Sequence, residues 1–427
     1  MRPPAPWRIL EVDLAEHDGG FDPGIDRPAL VILRRHGAVL GRTRVLPSDL
    51  PMTAGEFAEL AGRACGEAAM RLLGFGAAED RQRPKRTPVP GETFALGADA
   101  FERLDAALAG RRARPVPCTG SIIICTRHRP RDLAACLDAV ASEIAAGREV
   151  IVVDNGPDDE TLAVAQRAGA RYLAEPVPGV SRARNRGIAA ATGEVAIFVD
   201  DDARPEPGWA DMLLRRFDDP AVAAVTGLVL PAALETEAQI GFEYDLGFGG
   251  MDVLPLTFDS DFLEGWPEGA PLWEIGAGAN MAIRCNHARS LGGFDERFDP
   301  RAAFGGLDDT EFWHRILLAG CRIRYEPLSV VRHEHPETLP ELRKQAHYYI
   351  KGHNIGLFLS YARTRWNGHL RRAFWTLPRL HAGQLRRTPS RLMWNSLRGY
   401  LASLRHVGLL RVASGPVSSL EKTRDDG

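Results

Sequence analysis

The stretch Val195-Ala-Ile-Phe-Val-Asp-Asp-Asp202 decides the fold. Its first five residues are an apolar, β-branched run of the length of one buried strand. Three consecutive aspartates stand at its end. Structure alone gives such a triplet little reason to exist: neighbouring carboxylates repel, and burying an unpaired one is costly. A divalent cation removes the conflict, because Mg²⁺ or Mn²⁺ prefers hard oxygen ligands and bridges carboxylates to substrate phosphates. Taken alone, the triplet has a bland alternative, a solvated acidic loop.

Upstream, Ser121–Cys125 and Glu149–Val153 are apolar runs of the same kind, ending in Thr126-Arg127 and Asp154-Asn155-Gly156. Arg131–Ala146 has helical apolar spacing between them. A helical stretch near Glu160–Arg167, a strand at Ala170–Leu173, a helix at Val180–Ala191 and a strand at Ala221–Thr226 continue the alternation. This order predicts an α/β fold, a largely parallel sheet with helices on both faces. Ligands in such sheets bind beyond the carboxyl ends of the strands. Thr126, Arg127, Asp154 and Asp200–Asp202 would therefore fall along one edge.

Three further groups carry possible chemistry. Arg182, Arg184 and Arg186 lie near the start of the helix opened by Gly179, where the helix dipole favours phosphate; arginines on a solvated face are the bland alternative. Asp308-Asp309 follows Gly305-Gly306 and precedes a helix, so it reads either as a cap or as a general base for a hydroxyl. His333 ends a strand at Ser329–Arg332 and reads either as structural or as a ligand. Asp154 would accept hydrogen bonds from a base or ribose, although Asp-Asn-Gly is also ordinary turn chemistry.

Together these residues resemble the family 2 glycosyltransferases, inverting enzymes of GT-A fold. The matching pieces are Ile122–Arg127, Val152–Gly156, Ser181–Gly187, Phe198–Asp202, Gly276–Met281, Gly292–Glu296, Gly305–Phe312 and Arg332-His333, in order, between about Ser121 and His335. The resemblance implies a nucleotide-sugar donor, UDP by default, and a divalent cation, Mn²⁺ or Mg²⁺. It implies that Asp200 and Asp202 form a D-x-D metal motif that His333 approaches, with Asp201, Thr126 and Arg127 beside the donor. Asp154 would recognise the base, Arg182, Arg184 and Asn185 would line the donor pocket, and Asn280 would face sugar or acceptor. Asp309 takes the base position, with Asp308 its rival, and His335 lies near enough to compete with His333. Leu228–Trp273 falls where acceptor loops are expected.

The chain has 427 residues, 44% hydrophobic and 26% charged, which excludes disordered and fibrous classes. Residues 1–117 read as a small N-terminal α+β accessory domain, with a hairpin about His36-Gly37, a capping box at Thr53–Glu56, and linkers at Glu79–Glu92 and Arg111–Pro117. Residues 118–335 read as the GT-A domain that the resemblance implies, and 336–427 as a helical region. That last region is basic: from Arg343 to Arg411 there are 14 Lys or Arg and no Asp or Glu, whereas the remainder holds 39 basic and 56 acidic residues. Its tryptophans suit an anionic membrane surface, and no nucleic-acid module is recognisable. No secretory segment or run of about 18 apolar residues is visible. The six cysteines have no metal spacing, so the expected place is the cytoplasm, with the inner face of the membrane as the surface the basic region would meet. The acceptor would be a glycan or lipid-linked glycan hydroxyl. Two other functions fit the fold: a non-catalytic sugar-nucleotide-binding module, and a sugar-phosphate nucleotidyltransferase, although the glycine-rich loop of the latter is missing after the first strand.

Overall fold

Strand alternation divides the central core into two layers. In β4 (Gly120–Thr126), Ile122 and Ile124 belong to one cluster and Ile123 to the other. The same alternation runs through β5 (Val150–Asp154) and β7 (Val195–Asp200). A strand buried on both faces needs this unbroken apolar run, and helices cover both sides. The computed structural model describes residues 5–17, 19–73, 98–247, 253–299, 303–380, 382 and 391–411. The proline-rich linker expected at 79–92 lies outside them.

The remaining strands are β1 (Arg8–Asp13), β2 (Ala29–Arg35), β3 (Ala38–Val45), β6 (Arg171–Ala174), β8 (Ala203–Pro205), β9 (Val222–Pro231), β10 (Leu256–Phe258), β11 (Asn280–Arg284) and β12 (Arg322–His333). The longer helices are α1 (Ala54–Leu72), α2 (Ala98–Ala113), α3 (Pro130–Ala139), α4 (Asp159–Arg167), α5 (Val180–Ala190), α6 (Trp209–Leu214), α7 (Asp308–Leu318), α8 (Leu339–Thr364) and α9 (Arg391–Ser403). The nine-stranded sheet has the order β10-β12-β9-β11-β7-β4-β5-β6, with β8 paired to β12. β7, β4, β5 and β6 are parallel neighbours. β11 enters between β7 and β9 antiparallel to both, so the sheet is mixed beyond β7.

The N-terminal strands form their own sheet, β1-β2-β3. The expected hairpin is β2–β3, and His36 (φ 48°) and Gly37 (φ 78°) take the left-handed turn it requires. The capping box closes as expected, with Glu56 N–H donating to Thr53 Oγ1 and Thr53 N–H to Glu56 Oε2. One face of this sheet packs on α1 and α2. The other is continuous with the main core, where Trp7, Leu30 and Ile32 join Leu234 and Ile240. Arg111, expected in a linker, ends up on α2, buried, 2.7 Å from the buried Glu326 of β12. The ion pair lies in the last turn of the helix, which runs to Ala113.

At the other end, α8 carries the helical stretch 367–380 and α9 on its flanks. They share a cluster of Leu357, Phe358, Ala373, Leu377 and Tyr400. The stretch contains a π-turn at Arg372–Thr376. No described helix is long and apolar enough to cross a membrane.

Candidate active site

β7 delivers Asp200 at the carboxyl edge of the sheet, and Asp201 and Asp202 turn the chain into β8. β8 then pairs antiparallel with the end of β12, which sets Ala203 opposite His333. Glu334 N–H donates to the Asp202 carbonyl at 2.9 Å and fastens the turn. The result places His333 Nε2 3.2 Å from Asp202 Oδ1. Asp200, Asp202 and His333 each offer one ligand atom, all within 4.8 Å of one another. Two carboxylate oxygens and an imidazole nitrogen fit Mn²⁺ or Mg²⁺, with a preference for the softer Mn²⁺.

The charges at this turn are unequal. Burial pushes Asp200 up, Asp202 adds to the shift, and Arg184 opposes it. Burial also acts on Asp202, but His333 and Arg129 outweigh it and hold that carboxylate well below its usual range. Burial favours neutral His333, yet Asp202 draws its pKa up. Asp201 is outside the trio. It accepts from Thr126 Oγ1 at 2.8 Å, and burial, with Asp202 beside it, raises it to about 7. Arg129 spans the turn, 2.7 Å from Asp202 and 3.4 Å from Asp201. No periodicity or motif singles out Arg129; its position at the start of α3 was the only available signal.

A second pair of carboxylates starts α7, after Leu307 in the left-handed conformation (φ 76°). Asp308 is buried and accepts from Arg184 Nη1 at 2.7 Å and Ser181 Oγ at 3.1 Å. Arg184 also lies 3.7 Å from Asp200, with its guanidinium 5.5 Å over the Phe294 ring. It is therefore a buried counter-charge shared by the Asp200–Asp202 turn and the start of α7. Asp309 is only half-buried. It accepts from Gly278 N–H at 2.8 Å and Thr310 N–H at 2.7 Å. Burial pushes its pKa up and Asp308 adds to the rise, against Arg184 and the two N–H groups. A reachable carboxylate of raised pKa can accept a proton from a hydroxyl.

Other expected donor residues are drawn into internal pairings. Asn280, expected to face the sugar or acceptor, is instead fully buried, donating to the carbonyls of Leu228 and Ser329, so it ties β11 to β9 and, beyond it, β12. Asn185 locks both polar groups of Phe294 at 2.7 and 2.9 Å rather than lining a pocket. Arg182 pairs with Glu296. Asp154 is buried and accepts from Gly156 N–H, Asp158 N–H and the Tyr172 hydroxyl, so it shapes the loop after β5. Arg127 is half-buried beside Gly156 and its Nε has no hydrogen-bond partner. His335 turns away from the trio to Glu243, 3.1 Å from it, against Phe242.

A half-parallel sheet with helices on both faces and an Asp-Asp-Asp turn at its central carboxyl edge is the GT-A architecture. The family model described as "Glycosyl transferase family group 2" matches residues 196–413, and that described as "Glycosyl transferase family 2" matches 121–238. The chain belongs to glycosyltransferase family 2. It is 30% identical over 212 residues to a pre-mycofactocin glycosyltransferase of Mycobacterium tuberculosis, covering 48% of this chain and 41% of that one. It is 27% identical over 119 residues to a glucosyl-dolichyl phosphate glucuronosyltransferase of Haloferax volcanii, covering 26% of this chain and 38% of the other. The chain thus spans less than half the length of these curated relatives. Among solved structures, a mannosyltransferase of Pyrobaculum calidifontis in complex with GDP-Man and Mn²⁺ superposes with a TM-score of 0.48 at 17% identity, covering 69% of this chain and 89% of that one.

Proposed function

We propose that this chain is an inverting, metal-dependent glycosyltransferase that moves a sugar from a nucleotide-sugar, a UDP-sugar in the first instance, to a hydroxyl of a glycan or lipid-linked glycan. The observation that carries the reading is the Asp200, Asp202 and His333 trio joined through Arg184 to the carboxylates that begin α7. Those three residues would hold the cation, which when bound would neutralise the charge left on the nucleoside diphosphate.

The protein's own residues supply the rest. Asp309 accepts the acceptor's proton as the hydroxyl oxygen bonds to the anomeric carbon and the bond from that carbon to the diphosphate breaks, inverting its configuration. Gly278 and Thr310 N–H groups aim the Asp309 carboxylate. Arg184 keeps Asp308 paired, so that Asp309, the more exposed of the two, is the base. Arg129, anchored on the turn and half exposed, faces the place where diphosphate oxygens would lie. A lipid-linked acceptor agrees with the dolichyl phosphate in one relative's name. A cytoplasmic location is supported by six free cysteines.

The test is thermal stabilisation by a panel of nucleoside diphosphates and their sugars with Mn²⁺, Mg²⁺ or EDTA, in wild type and Asp202→Asn. A shift with one nucleotide that needs metal and vanishes in the variant is the expected result. A metal-independent shift, or none from a folded sample, would overturn the reading.

A further inference from the structure

Two helical elements of the C-terminal layer expose what such elements ordinarily hide. On the stretch 367–380, Arg371, Phe374, Trp375 and Arg379 are all exposed, and Leu380 follows them. On α9 and the turn after it, Trp394, Arg398, Leu401 and Arg405 are exposed at spacings of four, three and four, one stripe along a helix. The opposite faces, with Ala373, Leu377 and Tyr400, pack on α8, so the two elements share one support. Of the ten exposed large hydrophobic residues described, five lie on these two short elements, with Trp375 59% and Trp394 54% exposed. Scattered exposed apolar residues need no explanation, but a concentration of this kind does.

The charge says which partner fits. Neither element carries a carboxylate, and there is none anywhere from Arg343 to Arg411, although the rest of the chain is acidic. A protein partner's apolar patch would not ask for this one-sided charge. Duplex nucleic acid would use the arginines and leave the tryptophans, phenylalanine and leucines in water. A bilayer surface with anionic headgroups uses both: tryptophan enters the headgroup region, leucine and phenylalanine reach the acyl boundary, and arginine pairs with phosphate.

We propose that this face, Arg371–Arg379 with Trp394–Arg405, docks flat on an anionic phospholipid surface, lying in the interface without crossing it. The proposal does not depend on the donor chemistry.

The experiment is flotation of the full chain with phosphatidylcholine vesicles, with and without phosphatidylglycerol. Tryptophan quenching by brominated acyl chains is read in parallel. Three proteins are compared: wild type, Trp375→Ser/Trp394→Ser, and Arg398→Gln/Arg405→Gln. Expected are binding to the anionic vesicles only, bromine quenching in wild type, about a five-fold loss for each arginine removed, and at least about a ten-fold loss for the tryptophan pair. The nucleotide-dependent thermal shift should stay at the wild-type value in both variants, which shows that they are folded and separates this proposal from the donor reading. Failure of the folded wild type to float, unchanged flotation of the variants, or saturation of the same face by duplex nucleic acid or a second copy of the chain would overturn it.

Discussion

Replacing Arg184 by methionine tests the internal wiring of the site without any knowledge of the substrate. Methionine keeps the packing over Phe294 and removes the charge. In an effective dielectric of about 20, unit charges at the 2.7 Å separation of Arg184 and Asp308 attract by about 6 kcal/mol. Desolvation cancels part of that attraction, and stranding one partner of a buried pair costs about 3–5 kcal/mol. Asp308 would keep only the Ser181 hydroxyl as a partner and be left as a stranded buried carboxylate. Asp308→Leu in the same background relieves the stranded charge. A double-mutant cycle in urea should give a coupling of about 2–4 kcal/mol. A coupling below about 0.5 kcal/mol, the range of independent sites, would refute the claim that this pair holds the start of α7 to α5.

Three other outcomes follow. Asp309→Asn keeps an oxygen for the Gly278 N–H but cannot take a proton, so kcat should fall about 10²- to 10⁴-fold while the nucleotide-dependent thermal shift is retained; wild-type turnover would exclude Asp309 as the base. Asp299, buried under the start of α5 where it accepts from Ser181 N–H, is raised by burial, with Asp308 adding, from 3.8 to about 6. Its native carboxyl holds a proton to higher pH than the unfolded one, so stability should drop by about 3 kcal/mol as pH rises from 4 through 6, and Asp299→Asn should flatten that slope in urea titrations. Gly352→Ala places a methyl group against the Gly306 carbonyl, where α8 crosses the loop before Asp308; about 1–3 kcal/mol of destabilisation is expected by thermal unfolding, with a fall in kcat beyond what unfolding accounts for.

The strands that end at the site edge were legible because an apolar run ending in polar or acidic residues is a local pattern. β4, β5 and β7 lie where those runs stand, and their acidic and polar ends share one edge. β1 escaped notice: Arg8, Glu11 and Asp13 break its apolar run because the strand lies at a sheet edge. The side-chain partners were legible only in part. Asp202 and His333 were associated through family resemblance, whereas what joins them physically is the β8–β12 pairing of residues some 130 positions apart. Arg184, Asn185 and Asn280 look like ligand-binding residues in a linear reading, since buried polar side chains and site-lining ones are chemically alike. What distinguishes them is a partner more than 45 residues away: Asp308, Phe294 and Ser329 respectively. Arg129 had the opposite fate, because one arginine in a loop of arginines carries no signal until its carboxylates are located.

Glu206, immediately after β8, receives both nitrogens of Arg34's fork at 2.6 and 3.0 Å and also Arg332 at 3.1 Å. Arg34 belongs to β2, in the segment that composition alone would detach. The peptide that follows the Asp200–Asp202 turn is thus clamped from outside by the N-terminal sheet, much as a keystone is held by the masonry behind it. A fragment trimmed to the family match would bare Leu30's former neighbours and also free the far end of β8, so that cation affinity would become a readout of whether the first hundred residues are in place.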